Sequence, residues 1–552
     1  MAGRWTVAVA VALLAGGLGG CKGGGAASSD GPSDAGPAFP HQTGVATAGQ
    51  KVFRFETFGN EGFWTDAVRL PQGLLDAEIT PKQALALGLS VDVQALDAPT
   101  VAAIAAELAD AGTDGPLLND PATTVKLLNA NAVIGVVVKD SNGDGHLDVM
   151  NGDKVGIACA VCHSITDSSV LAVANGGGIG KRVDGPTPHN LQVGKIFAAA
   201  ANSRALYPLL QLKLVANGNK TLGRAPLSAA ITPDSTEAEV DAYLSNPAYY
   251  PVGMFDDAPD GNGAPMHIVP MFRTQRNAPY GTPGDIARLD NFNNLVYTAL
   301  LDPTTLVTPN GRAFLKALGG AAAGGEIADG YVKVLTATGV QGRSGSVAGT
   351  GFPFVQASST VAKAGSEDAP VGLRVDNQKL LDLNAYTDGL SAPAAPAGLD
   401  SAKMAAGKVL FQTHCTTCHN VDQSKPVPTF VVPLASGSAI FPGYTPTILA
   451  QRPVELPFRT AAFAPLQDDP NTIFDDKLVV VEASRRGDVR GLAMPVLLDL
   501  ARKPAFLHDD SVPSLDSLLD PSRGAKSPHP FFLPSATERA EMVEFLRSLS
   551  AP

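Results

Sequence analysis

The chain has 552 residues, with 53 Asp and Glu against 41 Lys and Arg and a formal net charge of −12. That balance argues against a nucleic-acid partner, because a phosphate backbone selects a basic face, and suits small or basic redox partners instead. The length allows two or three domains with real cores, and 57 Gly and 43 Pro imply much irregular chain.

Met1-Ala2-Gly3-Arg4 precedes an apolar run from Trp5 to Leu18 and then Gly19-Gly20-Cys21. A charged start, a short apolar stretch and small residues before a cysteine describe an export signal, and the run is shorter than a membrane span of about 20 residues. Leu18-Gly19-Gly20-Cys21 resembles the bacterial lipobox, whose cysteine becomes the lipidated first residue of the mature protein, with glycine in place of the commoner alanine or serine at position 19. The other reading is an ordinary cleaved signal with an incidental Cys21. Residues 22–50, rich in Gly, Ala, Ser and Pro, read as a flexible tether. Lys22 after the cysteine points, by resemblance to sorted lipoproteins, to the outer membrane, facing the periplasm. Membrane attachment is expected through the lipid anchor alone.

Phe53 to Asp66 mixes aromatics with polar residues, and Trp64 is the tryptophan left after signal removal. Packing at a domain edge and an electron relay are its two readings. Residues 81–110 carry apolar positions at helical spacing and predict two amphipathic helices divided at Asp97-Ala98-Pro99. Asp140-Ser141-Asn142-Gly143-Asp144-Gly145-His146-Leu147-Asp148 resembles an EF-hand calcium loop, with Asp140, Asn142, Asp144 and Asp148 as ligands. Asn151 stands where the bidentate glutamate belongs, and Val133 to Val138 reads as a strand, so a hairpin turn is the competing reading.

Cys159-Ala160-Val161-Cys162-His163 follows, and Cys415-Thr416-Thr417-Cys418-His419 repeats it. Cys-x-x-Cys alone also suits a thioredoxin-like pair or half a zinc site. The adjacent histidine, its duplication and the cysteine count decide otherwise: of five cysteines, four lie in these motifs and the fifth is Cys21. Thiols at this spacing form thioethers to haem vinyl groups, and the histidine ligates the iron. Two covalently bound haem c groups are therefore expected, with His163 and His419 on the irons.

Gly176 to Gly185 includes Lys181 and Arg182, which are placed to hold a haem propionate by charge-assisted hydrogen bonds. The stretch lacks the spacing of a nucleotide loop. Helical periodicity resumes from Val193 to Leu214, and residues 246–285 are rich in Pro, Asp and Gly with Met266, His267 and Met271 among them. Gly319 to Gly351 reads as surface loops with one helix. A helix follows from Asn377 to Asp388, then a linker over 389–400, a short helix from Ser401 to Phe411, and a closing amphipathic helix from Thr537 to Leu549.

Ala402 to Phe411, Cys415-x-x-Cys418-His419 and Lys503-Pro504-Ala505-Phe506-Leu507-His508-Asp509-Asp510-Ser511 together resemble the C-terminal haem domain of the bacterial di-haem cytochrome c peroxidase superfamily. That superfamily includes the methylamine-dehydrogenase-maturing enzymes and di-haem rubber oxygenases. The resemblance is strongest over residues 400–552, and Asp510 departs from the usual glycine. It implies that one haem takes electrons while the other meets peroxide or dioxygen. It also implies a sixth ligand for the C-terminal iron: His529 ranks first, Met494 second, and His508 supports from behind. A solvated surface histidine is the alternative for His529. For the N-terminal iron, His189 and His267 are the candidates, and a five-coordinate iron is what peroxide or dioxygen chemistry needs.

The expected fold is mainly α: two cytochrome c-like haem domains with long irregular loops and a few short strands. The expected boundaries are a signal over 1–21, a tether over 22–50, an N-terminal haem domain over 51–388, a linker over 389–400 and a C-terminal domain over 401–552. The expected function is an exported di-haem oxidoreductase, with a non-catalytic electron-transfer cytochrome as the alternative. The partner is a redox protein or a small oxidant, and the oligomeric state is open.

Overall fold

Two helix crossings organise the chain. The helix Ala46–Phe55 turns Gly49, Val52 and Phe53 inward against the helix Asn377–Gly389, which starts at an Asp376 cap and buries Leu380, Leu383 and Thr387. They meet at Gly49, where a Cβ would lie 1.9 Å from the Asp382 carbonyl oxygen, so only glycine lets the backbones approach. The helix Ser401–His414 likewise starts at an Asp400 cap and crosses the last helix, Ala536–Ser548, at Gly407. A Cβ there would stand 2.1 Å from the Glu541 carbonyl oxygen.

The computed structural model describes residues 44–174, 176–219, 224–263, 265–277, 280–281, 286, 288–342, 351–360, 366, 368–416, 419–423, 495–524, 529 and 531–550. Cys21, Cys418 and Met494 lie outside them. The described residues all belong to one compact unit, Gly36–Pro552. It holds separate cores: a large one running from Phe63 to Leu373, and a smaller one of Phe411, Phe506, Leu515, Leu519, Met542, Phe545 and Leu546. Each such side chain contributes about 1.5–3 kcal/mol on burial.

The architecture is mainly α. Among the described residues the strands form only two-stranded ladders. Val136–Lys139 pairs antiparallel with Lys154–Ile157, and Ser164–Thr166 with Arg182–Asp184, so the first Cys-x-x-Cys-His motif lies between two ladders. Asp97 caps Ala98–Ala111 as the expected division requires, and a Thr80/Gln83 capping box starts Pro81–Ala86.

Two expectations need correction. The tether expected over 22–50 loses its last residues to the fold, because Val52 and Phe53 must reach the core and the Val45 amide donates to Asp382 Oδ1 at 2.7 Å. The helix expected from Val193 to Leu214 stops at Ala198, and a 3-10 stretch, Ser203–Leu209, follows with Pro208 inside it. Proline has no N–H to continue an α-helix. The one helix expected in the Gly- and Ala-rich segment is Ala321–Ala337, and it buries a face that includes Ala323, Ile327, Tyr331 and Val334. Its small residues admit neighbours: a Cβ on Gly324 would meet the Leu315 carbonyl oxygen at 2.2 Å. No helix among the described residues is long and apolar enough to cross a membrane.

Candidate haem-binding site

The first motif is aimed by the strand before it. Asn60 treats Ile157 as a strand partner, donating from Nδ2 to its carbonyl at 2.9 Å and accepting its amide at 3.0 Å. Thr65 does the same with Val155, its hydroxyl donating at 3.1 Å and accepting at 2.8 Å. Between these two anchors begins a π-helical turn, Phe63–Ala67, a local geometry that recurs at functional sites. Gly135, at φ 76°, passes so close that a Cβ would lie 2.0 Å from the Val161 amide.

Cys159 opens the single-turn helix Ala160–His163, with its Sγ 3.1 Å from the Tyr297 hydroxyl. Burial pushes the Cys159 thiol up to about 11 and the Cys162 thiol up to about 12. Neither is disulfide-bonded. Burial pulls His163 down to about 4, partly opposed by the backbone of Val269. Among the described residues its buried Nδ1 has no partner of good hydrogen-bond geometry.

The second motif grows directly out of a helix. Cys415 caps Ser401–His414, its amide donating to Phe411, and the His419 amide donates to Cys415 at 2.9 Å. The His419 ring centre lies 6.4 Å from that of His529, at 49° between planes. Burial pulls His419 down to about 4 and His529 to about 3, the latter helped by His419 and Arg523. His529 is half-buried, and among the described residues its buried Nδ1 has no hydrogen-bond partner.

A single cavity of about 930 Å³ is lined by Cys159, Cys162, His163, Cys415, His419 and His529 together. That volume is at the upper end of the roughly 300–1,000 Å³ of small-molecule sites. Its N-terminal lining includes the apolar side chains of Leu70, Leu128, Val136 and Phe197. The boundary with the C-terminal part is polar. His189 and His267 stack there at 5.3 Å, and His267 Nδ1 lies 3.0 Å from Asp510 Oδ2. The His267 amide donates to the His508 carbonyl at 2.8 Å, and Arg224 to the Asp509 carbonyl at 2.8 Å. Lys503 also lines the cavity, and burial lowers it to about 8.

Lys181 and Arg182 do not line this cavity. Arg182 is buried in an ion pair, Nε to Asp92 Oδ2 at 3.1 Å, and stacks over Phe55 at 5.2 Å. Asp92 already balances the charge of Arg182, and Lys181 is exposed. The loop from Asp140 to Asp148 closes the hairpin between Val136–Lys139 and Lys154–Ile157. Its oxygens accept from the chain's own groups: Asp140 from the Gly143 and Gly145 amides, Asn142 from Asp144, Asp144 from His146, and Asp148 from Met150. Among the described residues, no group of three or more His, Cys, Asp or Glu is placed to hold a metal ion.

Sequence reading missed Tyr297 beside Cys159, Asn60 behind Ile157 and Lys503 in the cavity, because each acts across a long separation that no local pattern encodes. No family model matches the chain, and no curated protein does. Among solved structures, one of Kuenenia stuttgartiensis hydrazine synthase pressurised with xenon is similar at 15% identity over 52% of this chain and 74% of that one. The TM-score is 0.24, too low to support an inference about fold or function.

Proposed function

We propose that the chain is an exported di-haem c-type oxidoreductase. One haem is held by Cys159, Cys162 and His163, the other by Cys415, Cys418 and His419, with His529 completing the C-terminal iron. The observation that carries this reading is the one cavity onto which both motifs open. Haem c, when bound, supplies a one-electron couple and, at an open iron position, a place for peroxide or dioxygen.

The residues fit that group. Two metal–imidazole bonds of about 2 Å each, with roughly 1 Å from nitrogen to ring centre, span about 6 Å. The 6.4 Å between His419 and His529 matches it. The unpaired nitrogens of His163 and His529 are what ligand histidines leave before their metal and outer partners arrive. The Val269 backbone lies against His163, and His189 and His267, stacked on each other, are among the cavity's lining. In this reading the N-terminal iron keeps an open position while the C-terminal one delivers electrons.

Asn60, Thr65 and Tyr297 hold the first attachment turn rigid, and the cavity's apolar lining excludes water. Expression with haem-attachment machinery tests the reading. The double variants Cys159→Ala/Cys162→Ala and Cys415→Ala/Cys418→Ala are each expected to remove one covalent haem of two on a denaturing gel. Retention of both haems by either double variant contradicts it.

A further inference from the structure

Among the described residues that line the cavity, Lys503 is the one lysine or arginine. It is half-buried, and burial lowers it to about 8 from the ordinary lysine value of 10.5. Its ammonium lies 5.7 Å from the centre of the Phe506 ring, and among the described residues no carboxylate stands within ion-pair distance of it. The nearby acids are committed elsewhere. Asp499 pairs with Arg502, and Asp510 Oδ2 lies 3.0 Å from His267 Nδ1, so Asp510 acts on Lys503 only at a distance.

The position of the lysine is set by the fold. Phe506 and Val512 exchange both backbone hydrogen bonds, at 2.7 and 3.3 Å, and close the loop whose His508 carbonyl accepts the His267 amide. The charge of Lys503 depresses both His189 and His267, which places it at the boundary where the parts carrying the two attachment motifs meet. An ammonium drawn out of water without a counter-ion is costly, and an aromatic face offsets only part of that cost. The cavity is one anion short at this point, and each c-type haem carries two carboxylates.

We propose that Lys503 is the cation that holds a propionate carboxylate of a haem bound in this cavity, the task that the sequence had pointed to Lys181 and Arg182 for. This rests on the di-haem reading. The ammonium offers three donors to the carboxylate. Pairing keeps Lys503 charged, and a positive charge fixed beside a porphyrin favours the reduced iron.

The test compares the di-haem protein with Lys503→Met and Lys503→Arg at equal covalent haem content. Resonance Raman reads the propionate bending band, and a redox titration reads the two midpoint potentials. In Lys503→Met the propionate band of one haem is expected to shift and its potential to fall by about 59 mV, a tenfold change in the one-electron equilibrium. Lys503→Arg is expected to keep the potential. An unmoved band in Lys503→Met overturns the contact, even where the potential falls, because a charge acting at a distance needs no propionate at the ammonium. Should Lys503→Met not accumulate, wild type moved into D2O supplies the second reading: a propionate band that ignores the exchange overturns the proposal. Acetate that perturbs the haem spectrum of wild type but not of Lys503→Met assigns the anion to a free carboxylate, which also overturns it. Wild type without covalent haem removes the di-haem reading and this inference together, whereas the other contrary results remove the role of Lys503 alone.

Discussion

His419 and His529 are 110 positions apart in the chain, yet their ring centres lie 6.4 Å apart, with 49° between the planes, inside one cavity. That spacing fits a metal between two imidazoles and is too wide for a direct hydrogen bond between the rings. His529→Ala is expected to turn one of the two haems from six-coordinate low-spin to high-spin, as read by resonance Raman. Added imidazole is expected to restore the low-spin signal, which a merely misfolded variant would not do.

The crossing at Gly407 sets how closely the last helix covers the second motif. Gly407→Ala forces a methyl group into the Glu541 carbonyl. A loss of about 1–3 kcal/mol is expected in denaturant unfolding of the C-terminal core. Gly49→Ala is expected to weaken the Ala46–Phe55 crossing in the same way, because its Cβ would meet the Asp382 carbonyl oxygen.

Asp510 occupies a left-handed position at φ 52°, where glycine is at ease, and its carboxylate holds His267 across the boundary between the two parts. Asp510→Asn and His267→Gln are expected to be non-additive, with a coupling of about 0.5–3 kcal/mol in a double-mutant cycle. Additive losses would show that the contact does not join the two parts energetically.

Burial holds His189 down to about 2, far below the ordinary imidazole value of about 6.5. The unfolded chain therefore binds a proton that the folded chain refuses, and stability falls as pH drops below about 6.5. The limiting slope is about 1.4 kcal/mol per pH unit for this residue. His189→Asn is expected to flatten the pH dependence of stability between pH 6.5 and 4.5, while an unchanged slope would place the acid sensitivity elsewhere.

The two attachment motifs, the break at Asp97 and the terminal helices were legible because each is written locally, in spacing, caps and periodicity. The Ser401–Phe411 expectation stopped short of His414 only because Cys415 itself serves as the cap. What was hidden depends on distance. Arg182 looks like a free cation beside glycines, but Asp92, far off in sequence, has already paired with it. Asp140 to Asp148 carries oxygens at calcium-loop spacing, and the pairing of the strands on either side, which also makes it the turn of a hairpin, shows only in the fold. The cavity is lined by segments as remote as Leu70 and Phe531, so no window of sequence contains it.

The central claim is an unequal pair of haems, and titration of the reduced protein with carbon monoxide tests it most directly. The account predicts two covalent haems per chain, of which one, lost in Cys159→Ala/Cys162→Ala, binds carbon monoxide while the other stays low-spin. Two haems that both refuse carbon monoxide, or binding that survives in that double variant, would contradict it.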